Sequence, residues 1–431
     1  MKRSRYTTKM LIISALLMVT QPVLANPLEL TLEDSVNLAL KNSHGVKMAA
    51  ADKEKALWEV EESKGNKGFS LTYTNTNMRS TEPPTYVASL AAVSPYNYFS
   101  HKLTLAVPLY SGGKLENAVE AQKLGSKVAN LSFQTSKQDI KLEATTDFYQ
   151  VLATRNMVNV TQQSVDALTN HQRNVERQFE VGVVAKADVL RTKVQVANVE
   201  DNLIKAQNNY EMAVYRLNHV MGLPLRGELK LKAELKYDKY PLTMDDSINY
   251  ALKHRLEVDQ VKTNLAIAET QMKIAKGEKR PTVNLVGTNV WNNIEYPGTD
   301  YSHWTAALIA EWNILDSGVG SAKIEKAKYA LIKAREQVKE IGDNITLEAS
   351  QAYLSLKEAE KRIETSKVAV EEAQTNFTVA LKRYNSGIGI NLDVIDAELA
   401  LNTAKTNNIQ ALYDYNVSRA RLDKAIGVSV E

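Results

Sequence analysis

Two aspartates, Asp393 and Asp396, stand three residues apart at the end of a glycine-bearing segment that runs from Tyr384 to Ala397. Residues three apart lie on one face of a helix, so both carboxylates point the same way if a helix begins after the glycines. Carboxylates in this place can serve in two ways. They can be acids of a helix N-terminus, at the N-cap or in the first turn, or they can be charged groups that attract cations.

The same kind of break lies in the first half of the chain, from Phe179 to Leu190, where Gly182 takes the place of Gly387. Both breaks separate two long helical patterns. The chain therefore builds one supersecondary unit twice, and its function should follow from what two copies of that unit make.

The repeat also distinguishes the two aspartates. Asp188 in the first half matches Asp393, which favours a helix-start role for Asp393. Arg191 stands where Asp396 would have its counterpart. Asp396 is therefore the stronger candidate for a role beyond helix formation.

The composition excludes several kinds of site. The 431 residues include no cysteine, so disulfides, thiol chemistry and lipid attachment at an N-terminal cysteine are excluded. The six histidines show no metal-ligand spacing, and no glycine-rich phosphate loop, nucleophile elbow or zinc signature occurs. The sequence predicts no cofactor, no metal site and no enzymatic activity, so any transport must be driven by partners.

Residues 1–25 predict a secretory signal peptide. They combine four basic residues, an apolar run from Met10 to Val19 and a small residue at Ala25, after which cleavage is expected. Removing those four basic residues from the total of 53 leaves 49 against 50 acidic residues, so the mature chain has no positive excess for nucleic acid. No later stretch has 18 uninterrupted apolar residues. If the exported protein enters a membrane, it must therefore do so with strands.

Proline positions divide the mature chain into long helical tracts and strand-bearing connectors. The proline-free tracts are rich in Ala, Lys, Glu, Gln and Leu, which favour helices. Thr31 and Thr243 are candidate N-caps of matching helices that run to Lys64-Gly65 and Lys276-Gly277. The predicted division is a first repeat at 26–222, a connector at 223–241 and a second repeat at 242–431.

A very long helix precedes each glycine break. In the second half, apolar or small residues alternate at spacings of three and four from Ile324 to Tyr384, with one 3-4-4 interruption between Val338 and Ala349. This pattern predicts a coiled-coil seam with a stutter, and the first half keeps the register with weaker residues. Each helix would hold about 65 residues and extend on the order of 100 Å. A shorter helix runs back beside it after the break.

Each half also contains two stretches of alternating polarity, which predict strands of about ten residues, long enough to cross a bilayer when tilted. They lie at about 68–80, 98–110, 281–293 and 302–315. Tryptophans and tyrosines cluster in or beside them, which fits either a membrane interface or the ordinary preference of aromatic residues for strands. Glu311 falls on the polar face, where it would line a barrel or lie at a solvated rim.

Four strands cannot close a membrane barrel, and only a closed barrel pairs every backbone group in a bilayer. Two copies of the chain would supply eight strands and three would supply twelve, enough to begin to leave a lumen. The predicted fold class is an α+β membrane protein: long antiparallel coiled-coil helices forming an α-barrel, four transmembrane β-strands per chain, and an internal two-fold repeat. Because the strands and the glycine breaks lie at opposite ends, residues at the breaks would decide what passes.

The chain resembles the TolC-like outer membrane efflux protein family from Leu30 to Gly427. The resemblance rests on the two glycine-break motifs and on Pro-Leu-Tyr-Ser-Gly-Gly from Pro108 to Gly113, with its partner from Asn313 to Gly318. It implies a homotrimer in the outer membrane, whose twelve-stranded barrel continues into a helical tunnel across the periplasm. It also implies a passive exit duct of a tripartite efflux or type I secretion system. Such a duct docks through a periplasmic adaptor (membrane fusion) protein onto an inner-membrane pump or ABC transporter.

The resemblance further assigns roles at the glycine breaks. Asp393 and Asp396 match a pair that forms acidic rings at the narrow periplasmic entrance, so three chains would place six carboxylates around the axis. Such a ring favours cations, and mutual repulsion raises the carboxylate pKa values. The turns that meet the adaptor are matched by Gly182, Val183, Gly387 and Ile388.

Two members of the family's closing latch are also matched. In the family, a Tyr and an Arg of the second break reach an Asp of the first, and Tyr384 and Asp188 correspond to the Tyr and the Asp. The position of the Arg is Gly389 here, so the latch must be weaker or built otherwise. Our hypothesis is that Lys186 or Arg191 supplies the missing charge.

The competing interpretation is a structural or adhesive surface protein with a trimeric coiled-coil stalk. A stalk needs neither paired alternating strands nor a repeated Gly-Asp break, and the sequence contains both. An exported enzyme has no supporting set of residues. Whether the cargo is a drug, a metal or a protein is not specified by the sequence.

Overall fold

The computed structural model describes residues 28–81 and 96–430, and the predicted signal peptide lies outside the described residues. In chain order the elements are β1 (Leu28–Leu30), α1 (Leu32–Asn42), α2 (His44–Gly65), β2 (Ser70–Ser80), β3 (Tyr96–Tyr110), α3 (Lys114–Glu180), α4 (Lys186–Val220), β4 (Leu229–Leu231), α5 (Met244–His254), α6 (Leu256–Gly277), β5 (Thr282–Asn293), β6 (Tyr301–Glu311), α7 (Val319–Asn385) and α8 (Asn391–Ala425).

The helices of the two halves match in length. α1 and α5 have 11 residues each, α2 and α6 have 22, α3 and α7 have 67, and α4 and α8 have 35. The predicted internal repeat is therefore confirmed. At 1.5 Å per residue, α3 and α7 are each on the order of 100 Å long.

The four longer strands form one antiparallel sheet in the order β2-β3-β5-β6. The register aligns one polar row across all four strands: Thr72, Thr104, Thr288 and Thr305. The adjacent row, on the opposite face, holds Tyr73, Leu103, Asn289 and Trp304. The alternation predicted from the sequence thus gives a threonine-rich face and a more apolar face. β2 and β6 are the edges of this sheet, and each has a strand neighbour on one side only.

The long helices lie side by side, and their neighbours change along their length. Near the sheet, α3 packs against α2 and α6; near the glycine breaks, it packs against α4 and α8. Near the sheet, α7 packs against α6; near the glycine breaks, it packs against α8. The row is therefore α2, α3, α6, α7 near the sheet and α4, α3, α8, α7 near the breaks, which leaves α2, α4 and α7 at the edges of one chain.

The predicted seam of α7 is buried or half-buried along its length. Ile345 and Leu356 are fully buried and lie in one core cluster with Leu422 of α8 and its C-cap residue Ile426. The corresponding cluster of the first half is built around Phe148 and Leu152 of α3 with Leu217 of α4 and its C-cap residue Met221. The coiled-coil seam is therefore confirmed as the main site of helix packing.

The helix predicted to run from Thr31 to Lys64-Gly65 is broken in the structure at Ser43, and its counterpart is broken at Arg255. The hydroxyl of Ser43 accepts from the backbone N–H of Gly45 at 3.2 Å and starts a new helix. The end of α4 packs against this break, where a Cβ on Gly222 would lie only 2.8 Å from Cβ of Asn42. Close packing therefore accompanies the Ser43 cap at this break, and the helical pattern of the sequence does not reveal it.

The connector between the repeats is held against the helices. β1 pairs in parallel with β4, and the hydroxyl of Tyr415 donates to the carbonyl of Asp238 at 2.5 Å. The amide of Asn416 donates to the carbonyl of Lys236 at 3.0 Å. Of the helices in the described ranges, none is both long enough and apolar enough to span a membrane.

Candidate functional site at the tip turns

The two glycine breaks form matching turns at 181–185 and 386–390, which we call the tip turns. Gly182 and Gly387 have φ of +78° and +72°, a conformation that favours glycine. The N–H of Gly182 donates to the carbonyl of Phe179 at 2.9 Å, and that of Val183 to Gln178 at 2.8 Å. The second turn repeats both bonds, so each long helix ends in a Schellman motif.

The two turns differ at the position where the family latch has an arginine. Gly389 lies so close to the end of α7 that a Cβ there would be 2.8 Å from the backbone nitrogen of Tyr384. Val184 takes the equivalent place in the first turn and packs beside Val175 and Val189. The second turn therefore has no room for a side chain at 389 without a shift of the backbone.

Each tip turn presents two large apolar side chains to solvent. Val181 and Val183 are exposed in the first turn, and Ile388 and Ile390 are exposed in the second. Apolar groups concentrated at an exposed turn usually mark an interaction surface.

Asp188 and Asp393 are each the third residue of the helix that follows a tip turn. The N-cap positions are Ala185 and Ile390, which cap with no side-chain hydrogen bond. Of the two helix-start alternatives, the structure therefore shows the first-turn position. It also separates the two acids, because Asp188 is half-buried and Asp393 is exposed.

Asp393 and Asp396 lie on the side of α8 that faces solvent in the single chain, which we call its open side. Both are exposed, while Val394, Ile395 and Ala397 beside them are buried. The predicted placement of the two carboxylates on one face is what the helix provides. Among the described residues, no group of three or more acids and histidines has the geometry of a metal site.

The structure brings Tyr384 and Asp188 together. Tyr384 is 4% exposed and packs in a small core with Val175, Val189 and Val394, so all four helices meet at this level. Burial raises the pKa of the Tyr384 phenol, and the charge of Asp188 raises it further. The hydroxyl has no hydrogen-bond partner among the described residues.

Lys186 and Arg191, the proposed charge partners, are both exposed on the first two turns of α4. Neither forms an ion pair with a residue of the described ranges 28–81 and 96–430. Within one chain, their side chains are therefore free to meet an acid of a neighbouring copy.

Sequence reasoning missed a buried polar group beside Tyr384. Nε2 of His171 on α3 lies 2.7 Å from Oδ1 of Asn391, the first residue of α8. Nδ2 of Asn391 donates to Oγ1 of Thr192 at 3.0 Å and to the carbonyl of Asp188 at 3.2 Å. The rings of His171 and Tyr384 meet edge to face at 4.8 Å.

These four residues, His171, Thr192, Tyr384 and Asn391, form what we call the tip cluster, and each comes from a different long helix. Burial lowers the pKa of His171 below its ordinary value. The available signal was its position: His171 follows Leu168 by three residues and precedes Val175 by four, so it occupies a seam position. A polar residue at a seam position predicts a specific partner.

The comparisons with known proteins agree with this architecture. Residues 35–223 and 247–428 match the outer membrane efflux protein family. Outer membrane protein TolC of Escherichia coli (strain K12) is 24% identical over 345 residues, which cover 77% of this chain and 70% of TolC. Alkaline protease secretion protein AprF of Pseudomonas aeruginosa is 20% identical over 343 residues, with the same 77% and 70% coverage.

The fold is also that of a solved channel. The crystal structure of outer membrane protein VceC from Vibrio cholerae has a TM-score of 0.79 to this chain at 17% identity, and the match covers 93% of this chain and 97% of VceC. The family match includes both repeats and both tip turns. The chain therefore belongs to the outer membrane efflux protein family and is an outer-membrane exit channel of that family.

Proposed function

We propose that the protein is a homotrimeric, passive exit duct of an efflux or type I secretion system, gated at the tip turns. The observation that carries this proposal is the placement of Asp393 and Asp396 on the open side of α8, at the opposite end of the long helices from the sheet. In this position the carboxylates face whatever enters the tunnel between copies of the chain.

The edges of the chain support assembly with further copies. Within the part of the chain that the structure describes, β2 and β6 each pair with a strand on one side only, and three copies would supply twelve strands to a closed barrel. α7 carries exposed apolar residues at heptad intervals, namely Leu347, Leu354 and Val368. Such a stripe on an edge helix needs a partner helix. The edge helices α4 and α2 of the next copy offer exposed apolar residues of their own, such as Val194 and Trp58.

The gate follows from the same assembly. Three copies place six carboxylates of Asp393 and Asp396 around the tunnel axis, where they favour cations. Asp188 and Tyr384 lie together behind them and hold the turn closed. Because α4 and α7 are edge helices, Lys186 and Arg191 of one copy reach toward α7 of the next.

Docking and energy come from partners in this proposal. The exposed apolar residues of the tip turns, with Gly182 and Gly387 shaping them, form the contact with a periplasmic adaptor. An inner-membrane pump or ABC transporter supplies the energy. The chain itself carries out no catalysis, and the relative AprF is named for secretion of an alkaline protease, which makes proteins one candidate class of cargo.

Single-channel conductance in a planar bilayer tests the proposal. Wild type should give a small, cation-selective conductance that divalent cations block from the tip side, and Asp396→Ala should weaken the block severalfold. Asp201→Ala is the matched control, because Asp201 is an exposed acid on α4 that pairs with Lys205. A folded, detergent-stable oligomer that conducts in neither wild type nor Asp396→Ala would overturn the proposal and favour the coiled-coil stalk.

The latch hypothesis is tested in the same assay. Lys186→Glu and Arg191→Glu should each raise the open probability if the residue holds the closed tip together across copies. Unchanged conductance in both variants would remove the hypothesis and leave Tyr384 and Asp188 as the latch.

A further inference from the structure

A polar stripe runs along the contact between α3 and α8 close to the tip turns. His171 faces Asn391, and one heptad further from the turns Ser164 of α3 lies at the level of Glu398 of α8. All four side chains are at most 4% exposed. We call these four residues the polar seam. The two helices must separate here if the α7–α8 pair moves relative to the α3–α4 pair.

Both layers of the polar seam contain a titratable group whose neutral form is favoured by burial. The amide nitrogen of Asn391 donates to Thr192 and to the carbonyl of Asp188, so its oxygen is an acceptor that lies 2.7 Å from Nε2 of His171 and 3.3 Å from Oγ1 of Thr192. By this network Nε2 of His171 carries the proton, and Nδ1 is a buried acceptor with no partner among the described residues. Oε2 of Glu398 is likewise buried and without a partner there.

The surrounding charges do not compensate an ionised form of either group. The titratable residues that the structure places beside His171 are Tyr384 on α7, whose ring meets that of His171 edge to face, and Asp188 on α4, whose carbonyl accepts from Asn391. Among the described residues, no carboxylate bonds to either nitrogen of His171, and its one hydrogen bond is to the side chain of Asn391. For Glu398, the nearby hydroxyl of Ser164 and the charge of Lys405, which donates to Gln163 at 3.1 Å, both favour the ionised form, but together they do not offset burial.

We propose that the polar seam makes the gate sensitive to protons: His171 loosens the contact between α3 and α8 when it gains a proton, and Glu398 loosens it when it loses one. The inference rests on the proposed function, because it assigns regulation to the same gate. His171 is then a positioning residue, since it holds the first residue of α8 and with it the acidic pair at Asp393 and Asp396.

The two groups act in opposite directions with pH. Burial lowers the pKa of His171 from 6.5, so the packed seam binds fewer protons than the separated seam and loses stability as pH falls below about 6.5. Burial raises the pKa of Glu398 from 4.5, so the packed seam binds more protons and loses stability as pH rises above about 4.5. Wild type combines both effects, and single substitutions separate them.

The experiment compares wild type, Glu398→Gln, His171→Gln and the double variant between pH 4.5 and 7.5. Glutamine at either position keeps a hydrogen-bonding side chain of similar length and cannot titrate. Glu398→Gln should open severalfold more often as pH falls, His171→Gln severalfold more often as pH rises, and the double variant should show no slope. His44→Gln, at an exposed histidine that begins α2, is the control and should behave as wild type.

Open probability in planar bilayers is the first readout, and hydrogen–deuterium exchange at 160–175 and 388–402, corrected for the intrinsic pH dependence of exchange, is the second. Slopes of the same sign in the two single variants, or slopes equal to that of wild type, would overturn the inference. Because the predicted signs are opposite, either single variant alone decides it if the other does not assemble. A protein that never conducts but shows the predicted exchange would contradict the proposed function and leave the proton response of the seam standing.

Discussion

Asp188 and Asp393 occupy the same position in the first turns of α4 and α8, yet Asp188 is half-buried beside Tyr384 and Asp393 is exposed. The two aspartates therefore have matching backbone positions in the two halves but different surroundings. The half-buried acid is placed to hold the turn, and the exposed acid is placed to meet ions. The two roles can be tested separately, because the same substitution of aspartate by asparagine can be made at each position in turn.

Asp393→Asn should reduce cation selectivity, because it removes one ring of carboxylates from the open side of α8. Asp188→Asn should leave selectivity unchanged and raise the open probability, because its charge lies behind the tunnel surface beside Tyr384. Reversal potentials in a salt gradient measure the first property, and single-channel dwell times measure the second. An equal loss of selectivity in both variants would contradict this separation.

Gly387 and Gly389 of the second tip turn should respond differently to substitution by alanine. Gly387→Ala forces a non-glycine residue to a φ of +72°, and nothing lies within 4 Å of the added Cβ. The cost should be about 1–2 kcal/mol from the left-handed backbone alone. Gly389→Ala should instead displace the end of α7, because its Cβ would lie 2.8 Å from the nitrogen of Tyr384.

Thermal melting of the assembled protein and hydrogen exchange of 383–393 measure these effects. Gly125→Ala is the control, since Gly125 is inside α3 and its Cβ would meet only a flexible glutamine side chain at 3.7 Å. That substitution should stabilise the protein by about 0.5–1 kcal/mol. If the control and Gly387→Ala shift the melting temperature alike, the conformational argument for the turn is wrong.

Assembly should depend on the heptad stripe of α7. Leu354→Lys places a charge in the middle of that stripe, on a residue that is exposed in the single chain, so the chain should fold but lose the oligomer. Light scattering in detergent measures the mass, and circular dichroism checks that the helices remain. Val183→Lys, at an exposed apolar residue of a tip turn, is the control and should keep the oligomer. A Leu354→Lys variant that assembles normally would rule out this face as the interface.

Much of the fold could be predicted because its signals are local and periodic. The seam from Ile324 to Tyr384 repeats at three and four residues over one long helix, and that length makes the pattern unambiguous. The strands alternate clearly enough to predict a polar face on each, and the register in the structure then aligns Thr72, Thr104, Thr288 and Thr305 in one row. The capped helix start at Thr31 is likewise local, and its hydroxyl accepts from Asp34 as expected.

The features that could not be predicted depend on contacts between distant residues. The break at Ser43 lies against Gly222, which packs closely on Asn42, and serine is also compatible with an uninterrupted helix. The geometry of the second tip turn leaves no space for a side chain at Gly389, and the sequence of that turn does not reveal this. His171 and Asn391 are 220 residues apart, so only the fold shows that they bond.

The pH dependence of the protein's stability should also reveal one buried acid on α3, Asp147. Burial and the nearby charge of Glu143 raise the pKa of Asp147 from 3.8 to about 6. The folded protein therefore binds more protons than the unfolded chain between these values, and its stability falls as pH rises through this range. Asp147→Asn should remove that loss and raise stability at pH 7.5 by about 1 kcal/mol after allowance for solvent screening, with little effect at pH 3.5.

Asp166→Asn, at an exposed acid of the same helix, should leave the pH profile as in wild type. Melting temperatures across pH 3.5–7.5 decide the matter, because an Asp147→Asn profile parallel to wild type would show that Asp147 is ionised at no cost in the folded protein.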